Sequence, residues 1–314
     1  MHTHSYFTRA LFTLLALFAP AAILLLAPPQ STTGAADWSR LTAWLVCVTG
    51  LLGLLVLVGI KIRGRVLGVL IDERNRYSLS RLQITLWTVL VTGTVYTVFI
   101  ANIVRSSKGD ALWVDLDYNL VLLMGVSVAS FVTAPMALNL KAEQPGDANT
   151  LERSGQQLFA KQELALMPSA IGQVLVKGSP NDARLADLIR GEDIGNATLV
   201  DLPRLQMLII TAVVLLSYGA EVGRLLTTGS WLVDGLPKLS PTLLLLVLVS
   251  HGGYVTGKLI PSTSSSALVT STDTMRALRA SQRAASLAMT LQTQFNNCAI
   301  GDPRYQGLRS SLGP

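Results

Sequence analysis

The chain has 314 residues, 50% hydrophobic and only 14% charged, with 25 Lys and Arg against 19 Asp and Glu for a net charge of +6. Its mean hydropathy is +0.47. A soluble domain carries roughly 25% charged residues, so this composition excludes an ordinary cytosolic enzyme, a disordered tail and a disulfide-rich secreted scaffold.

Six long apolar segments predict an all-α membrane protein with six transmembrane helices. Lipid offers the backbone no hydrogen-bond partner, so each crossing must be a helix of roughly 20 apolar residues. The first segment, Ala10 to Ala27, follows a basic head ending at Arg9 and precedes Gly34, Ala35 and Ala36. It reads either as a retained helix or as a signal sequence, and we adopt the helix. With Leu41 to Ile60 it forms an N-terminal pair over 1–62. Cys47 lies in that second segment and Cys298 in the tail, and only three histidines are present, so no disulfide, metal or cofactor is expected.

Residues 63–140 hold a basic entry and a first hairpin of two helices, Leu82 to Val104 and Tyr118 to Leu140. The region 141–203 has 6 basic and 9 acidic residues and reads as a small solvated cytoplasmic domain. There Asn181 or Asp182 is read as the cap of a short helix ending at Gly191. That would leave Arg190, Glu192 and Asp193 as an exposed corner, our candidate contact for a cytoplasmic protein partner. A second hairpin, Leu205 to Gly223 and Leu239 to Gly257, fills 204–260. Its candidate intramembrane polar residues are Glu221, 17 residues past Arg204 and so about 26 Å along a helix, and His251, read as a packed neutral histidine. Over 261–314, a Ser/Thr-rich linker precedes a weakly amphipathic helix from Thr272 to Asn296. Its Arg276, Arg279 and Arg283 could lie on anionic lipid, or the helix could pair with another copy in a homo-oligomer.

Positively charged loops stay in the cytoplasm. With the N-terminus inside, 20 of the 25 basic residues fall on that side, which predicts a multi-pass protein of a bacterial inner membrane with both termini cytoplasmic. The basic excess thus reflects topology, and no nucleic-acid partner is expected.

Positions in the two hairpins correspond at an offset of 123. Arg81-Leu82-Gln83 matches Arg204-Leu205-Gln206, Thr88 matches Thr211, Val126-Ser127 matches Val249-Ser250 and Val132-Thr133 matches Val255-Thr256, with no gap. Both copies start on the same side, so this is a parallel duplicated hairpin. Small residues on the second helix of each copy (Gly125, Ser127, Ala129, Ser130, Thr133 and Ala134; Ser250, Gly252, Gly253, Thr256 and Gly257) are expected to pack against neighbouring helices. The run Gly252 to Lys258 has GxxxxGK spacing, but Leu259 stands where a phosphate-binding loop needs Ser or Thr and no strand precedes it.

Arg81 and Arg204 each begin a helix, where the macrodipole disfavours a cation, and Gln83 and Gln206 follow at the membrane edge. Asp201, Asp72, Glu73 or anionic lipid headgroups are the candidate compensators, so these four residues are candidate structural or lipid contacts.

The run Asp72-Glu73-Arg74-Asn75-Arg76-Tyr77-Ser78-Leu79-Ser80-Arg81-Leu82-Gln83, opening a helix with Trp87-Thr88, resembles an uncharacterised family of bacterial multi-spanning membrane proteins with repeated Arg-x-Gln helix starts. A second shared stretch, Asp187 to Asn196, has Ile189 and Asp193 where that family has Phe and Glu. The resemblance covers most of Arg65 to Lys258 and implies architecture, not chemistry. With no nucleophile and base set out together, the chain reads as a membrane scaffold or anchor and not an enzyme. The alternative is a channel or transporter subunit with a pathway between the repeats.

Overall fold

The computed structural model describes residues 18–27, 38–105, 111–161, 168–228 and 232–259, with Arg279 and Arg283. The chain divides into two units, Met1–Ser264 and Ser265–Pro314. In the second unit Arg279 and Arg283 are helical, and the rest of the expected helix from Thr272 to Asn296 lies outside the described residues.

Helix α1 is described over 18–26; the earlier part of the first predicted span lies outside the described residues. The helices α2 (Trp38–Arg63), α3 (Leu79–Arg105), α4 (Tyr118–Ala142), α5 (Ala148–Ala160), α6 (Leu202–Thr228) and α7 (Pro241–Leu259) follow. Five of these, α2, α3, α4, α6 and α7, are long and apolar enough to cross a bilayer, and the chain is a multi-pass membrane protein. Helix α4 packs along α7, α3 packs against α2 and α4, and α6 touches α2, α3 and α7. Trp87, Val98, Leu123, Val214, Tyr218, Val222 and Val247 fill the core between them, with Trp87 edge-on to Tyr218 at 6.1 Å.

At one end of the bundle the link after α6 is joined to α3, to the link after α3 and to the start of α4: Asp115 N donates to Asp234 O at 2.8 Å and Asp115 O accepts from Leu236 N at 3.0 Å. Asn102 donates to Val233 O at 2.9 Å and accepts from Val233 N at 3.0 Å. Asp117, at the start of α4, accepts from Leu239 N at 2.9 Å, and Asn119 donates to Leu239 O at 2.8 Å. At the other end lie the turn before α3 and the region between α4 and α6.

That region departs from the all-α expectation. It contains a two-stranded antiparallel hairpin, β1 (Ser169–Ile171) and β2 (Val174–Val176). Gly172 makes the turn at φ +56°, and a Cβ there would lie 2.2 Å from Ala142 O, so only glycine fits. Three-residue strands are too short to leave an alternating pattern that sequence reading can detect. The expected short helix before Gly191 is instead two 3-10 turns, Pro180–Asp182 and Leu185–Leu188. Ser179, not Asn181 or Asp182, caps the first by accepting from Asn181 N at 3.2 Å. Pro180 suits a first turn but allows no longer backbone ladder before it.

The small residues divide by helix face. Ser127, Ser130 and Ser250 are buried in the bundle, as expected. Gly125, Ala129, Gly252, Gly253 and Gly257 are exposed instead, because the buried stripe of α7 runs through Leu244, Val247, His251, Tyr254 and Lys258 at intervals of three and four.

Candidate functional site

The turn that enters α3 is built by Asp72. Its Oδ1 accepts from Arg74 N and Arg76 N, both at 3.0 Å, and its Oδ2 accepts from the Arg74 guanidinium at 2.6 Å. Asn75 takes the left-handed conformation at φ 58° and donates to Lys177 O at 2.8 Å. Arg74 and Arg76 are thereby turned inward beneath the helices, where Lys177 and the stretch after Leu188 meet them.

Glu192 is the centre of the resulting network. Its Oε1 lies 2.8 Å from Arg74 Nη2 and 2.9 Å from Arg204 Nη1, and its Oε2 lies 2.6 Å from Lys258 Nζ. One carboxylate therefore ties together the turn before α3, the start of α6 and the end of α7. Arg204 Nε also donates to Leu188 O at 3.2 Å, and Lys258 lies 4.9 Å from the Tyr254 ring centroid. Two further nodes surround it. Asp187 accepts from Lys177 Nζ at 2.8 Å and lies 3.7 Å from Arg76 Nε, while Lys141, at the end of α4, donates to Asp193 at 2.7 Å. Gly191 makes room for this packing, since a Cβ there would meet Asn196 Oδ1 at 2.0 Å, and that oxygen accepts from Asp193 N.

Burial alone would raise the pKa of Glu192, but Arg74, Lys258 and Arg204 hold it well below the usual carboxylate range. Burial likewise opposes the charge on Arg74, yet Glu192 and Asp72 raise its pKa. For Arg76 burial prevails over Asp187, and its pKa falls below the usual arginine value. Its Nη1 is buried with no hydrogen-bond partner among the described residues.

The structure places the expected site residues unevenly. Glu192 and Asp193, expected at an exposed corner, are buried at 7% and 1% exposure. The physical cause is clear: Asp193 faces Lys141 at the end of α4, and Glu192 faces Arg204, Lys258 and, 118 residues away in the turn before α3, Arg74. Arg190 is half-buried, its segment bridged to Val200. Of the two matching arginines, Arg204 is buried against Glu192, which was not among the expected compensators, while Asp201 accepts from its backbone N at 3.3 Å. Arg81 is partly exposed and pairs with Glu73 at 3.0 Å. Gln83 is fully buried and donates to Thr211 Oγ1, whereas Gln206 is exposed. Glu221 pairs with Arg224 on the surface near the far end of α6. His251 is buried and packed, as expected, with Nδ1 2.9 Å from Val247 O of its own helix, whereas the bond to a neighbouring helix that such packing would suggest is not made among the described residues.

Sequence reading missed Lys141, Lys177, Asp187 and Lys258 as members of the network. The available signal was the pair of lysines at the ends of two apolar helices, which positive-inside reasoning explains without any partner. Among the described residues no group of three or more His, Cys, Asp or Glu could hold a metal ion. What the arrangement does is fasten: it fixes the stretch from Lys177 to Asp193 to the turn before α3 and to the ends of α4, α6 and α7. No family model, curated protein or solved structure matches the chain.

Proposed function

We propose that this protein is a non-enzymatic scaffold or anchor of a bacterial inner membrane, with the charge-network end of the bundle and both termini in the cytoplasm. The observation that carries the reading is Glu192 between Arg74, Arg204 and Lys258. Breaking a buried ion pair costs about 3–5 kcal/mol, so the loop region is held as a rigid platform at the membrane edge. That platform carries outward-facing apolar side chains, Leu185, Leu199 and Val200, at 55–62% exposure beside Arg190, a surface suited to a protein partner.

The architecture is a duplicated hairpin. Support comes from register: α3 and α6 begin and end 123 residues apart, and α4 and α7 begin 123 residues apart. The copies have diverged, since Lys258 of α7 corresponds to Pro135 of α4.

The test is reconstitution. Liposomes containing the folded, oriented protein should pass no more solute or ion than empty ones, and photocrosslinkers at Leu199 or Val200 should capture one defined protein in cells. Flux that depends on the protein would overturn the scaffold in favour of a channel or transporter subunit.

A further inference from the structure

A cavity of about 410 Å³ opens where the first turn of α3, the last turns of α4 and the β1–β2 hairpin meet. Its size is within the usual range for small-molecule sites, and its walls are of two kinds. Arg74, Arg81 and Lys258 line it with Ser78 and Ser80; Phe131 and Leu138 of α4 and Ile171, Val174 and Val176 of the hairpin supply the apolar side. Val132 of α4 and Ile171 of β1, both in the lining, are 53% and 59% exposed, so the apolar wall continues outward along the membrane-capable α4 and the tip of the hairpin.

Two carboxylates also line the cavity, and they differ. Both oxygens of Asp72 are occupied by its own turn and Arg74. Glu73 is 79% exposed and holds Arg81 from outside, a contact of the kind that contributes little in water. Arg81 also lies 5.9 Å from the centre of the Phe131 ring, which orients its guanidinium without consuming its donors. Arg74 Nη1 is a buried N–H with no hydrogen-bond partner among the described residues.

We propose that this cavity binds the anionic head of an acyl-bearing amphiphile, a phosphate-type group, with Arg81 exchanging Glu73 for the ligand and the acyl portion leaving along Val132 and Ile171. A guanidinium is suited to such a head because it donates two parallel hydrogen bonds, and basic pockets between helices at a membrane edge hold lipid head groups for this reason. The chemistry is shared by a membrane phospholipid and by free phosphate, but the apolar wall is used only by the former.

The experiment is thermal unfolding of the purified full-length protein in a neutral maltoside detergent, titrated with dihexanoyl phosphatidylglycerol, dihexanoyl phosphatidylcholine or inorganic phosphate. Phosphatidylglycerol should raise the Tm saturably, with little effect from the other two. Arg81→Gln should weaken the apparent affinity roughly fivefold, the worth of one surface cation. Glu73→Gln, a change at an exposed position that should not disturb folding, should tighten it several-fold by freeing Arg81. Equal protection by phosphatidylcholine, equal protection by phosphate alone, or an affinity unchanged in both variants would each overturn the proposal.

Discussion

Arg81 and Arg204 occupy the same place in two helices, the third residue of α3 and of α6, yet their surroundings assign them different energies. Arg204 is 2% exposed at its side chain and faces Glu192, whereas Arg81 is 28% exposed and faces a carboxylate in solvent. Arg204→Gln should therefore destabilise the protein by about 3–5 kcal/mol, and Arg81→Gln by under about 1 kcal/mol; paired chemical or thermal unfolding of the two variants measures the difference. Glu192→Gln should match the larger loss, because it leaves Arg74 and Lys258 without their shared anion. Its pH dependence has a definite sign. The folded-state pKa of Glu192 is depressed, so its stabilisation is complete above the unfolded value of roughly 4.3 and is lost as pH falls through the folded one. On acidification below that unfolded value the wild type should lose more Tm than Glu192→Gln, and equal losses would show that the carboxylate does not supply the acid sensitivity. The sequence led to the wrong exposure for Glu192 because a charged stretch ending a short helix is ordinarily solvated, and nothing local to it reveals cations on three other elements.

At the scale of elements, the apolar runs were enough to locate α2, α3, α4, α6 and α7, because a backbone in lipid has one way to satisfy itself. Their ends were harder to read. The predicted Leu205 to Gly223 is a helix from Leu202 to Thr228, since Leu225 and Leu226 carry its apolar face on past Arg224 into the core and the Thr227 and Thr228 hydroxyls donate to Gly223 O and Arg224 O in the last turn. The β1–β2 hairpin left no signal beyond Gly172, and its role depends on that residue. Gly172→Ala would put a Cβ against Ala142 O at a left-handed φ, a strain of about 1–3 kcal/mol. Amide exchange at Leu175, which donates to Glu192 O, should quicken in that variant while exchange in the middle of α3 stays slow. Uniform exchange across the molecule would instead mean that the hairpin and the helices unfold as one unit.

For the whole molecule, the bundle is joined at both ends: by the Asn102–Val233 and Asp117–Leu239 bonds at one, and by the Glu192 network at the other. Such a bundle has few low-energy ways to rock one hairpin against the other. A protease added to the charge-network side should leave residues 168–201 intact in the wild type and cut them in Glu192→Gln; equal cutting of both would show that the network does not hold this stretch down. The placement of Lys258 near the end of α7 also sets an order on biosynthesis. Glu192 leaves the ribosome 66 residues ahead of the lysine that lies 2.6 Å from it, so the carboxylate waits, short of one cation, until α7 has been inserted. A nascent or truncated chain that stops before residue 258 displays an unfinished, charge-imbalanced platform. Helix α7 thus supplies the closing cation of the network, and a chain that stops short of it leaves Glu192 with Arg74 and Arg204 alone.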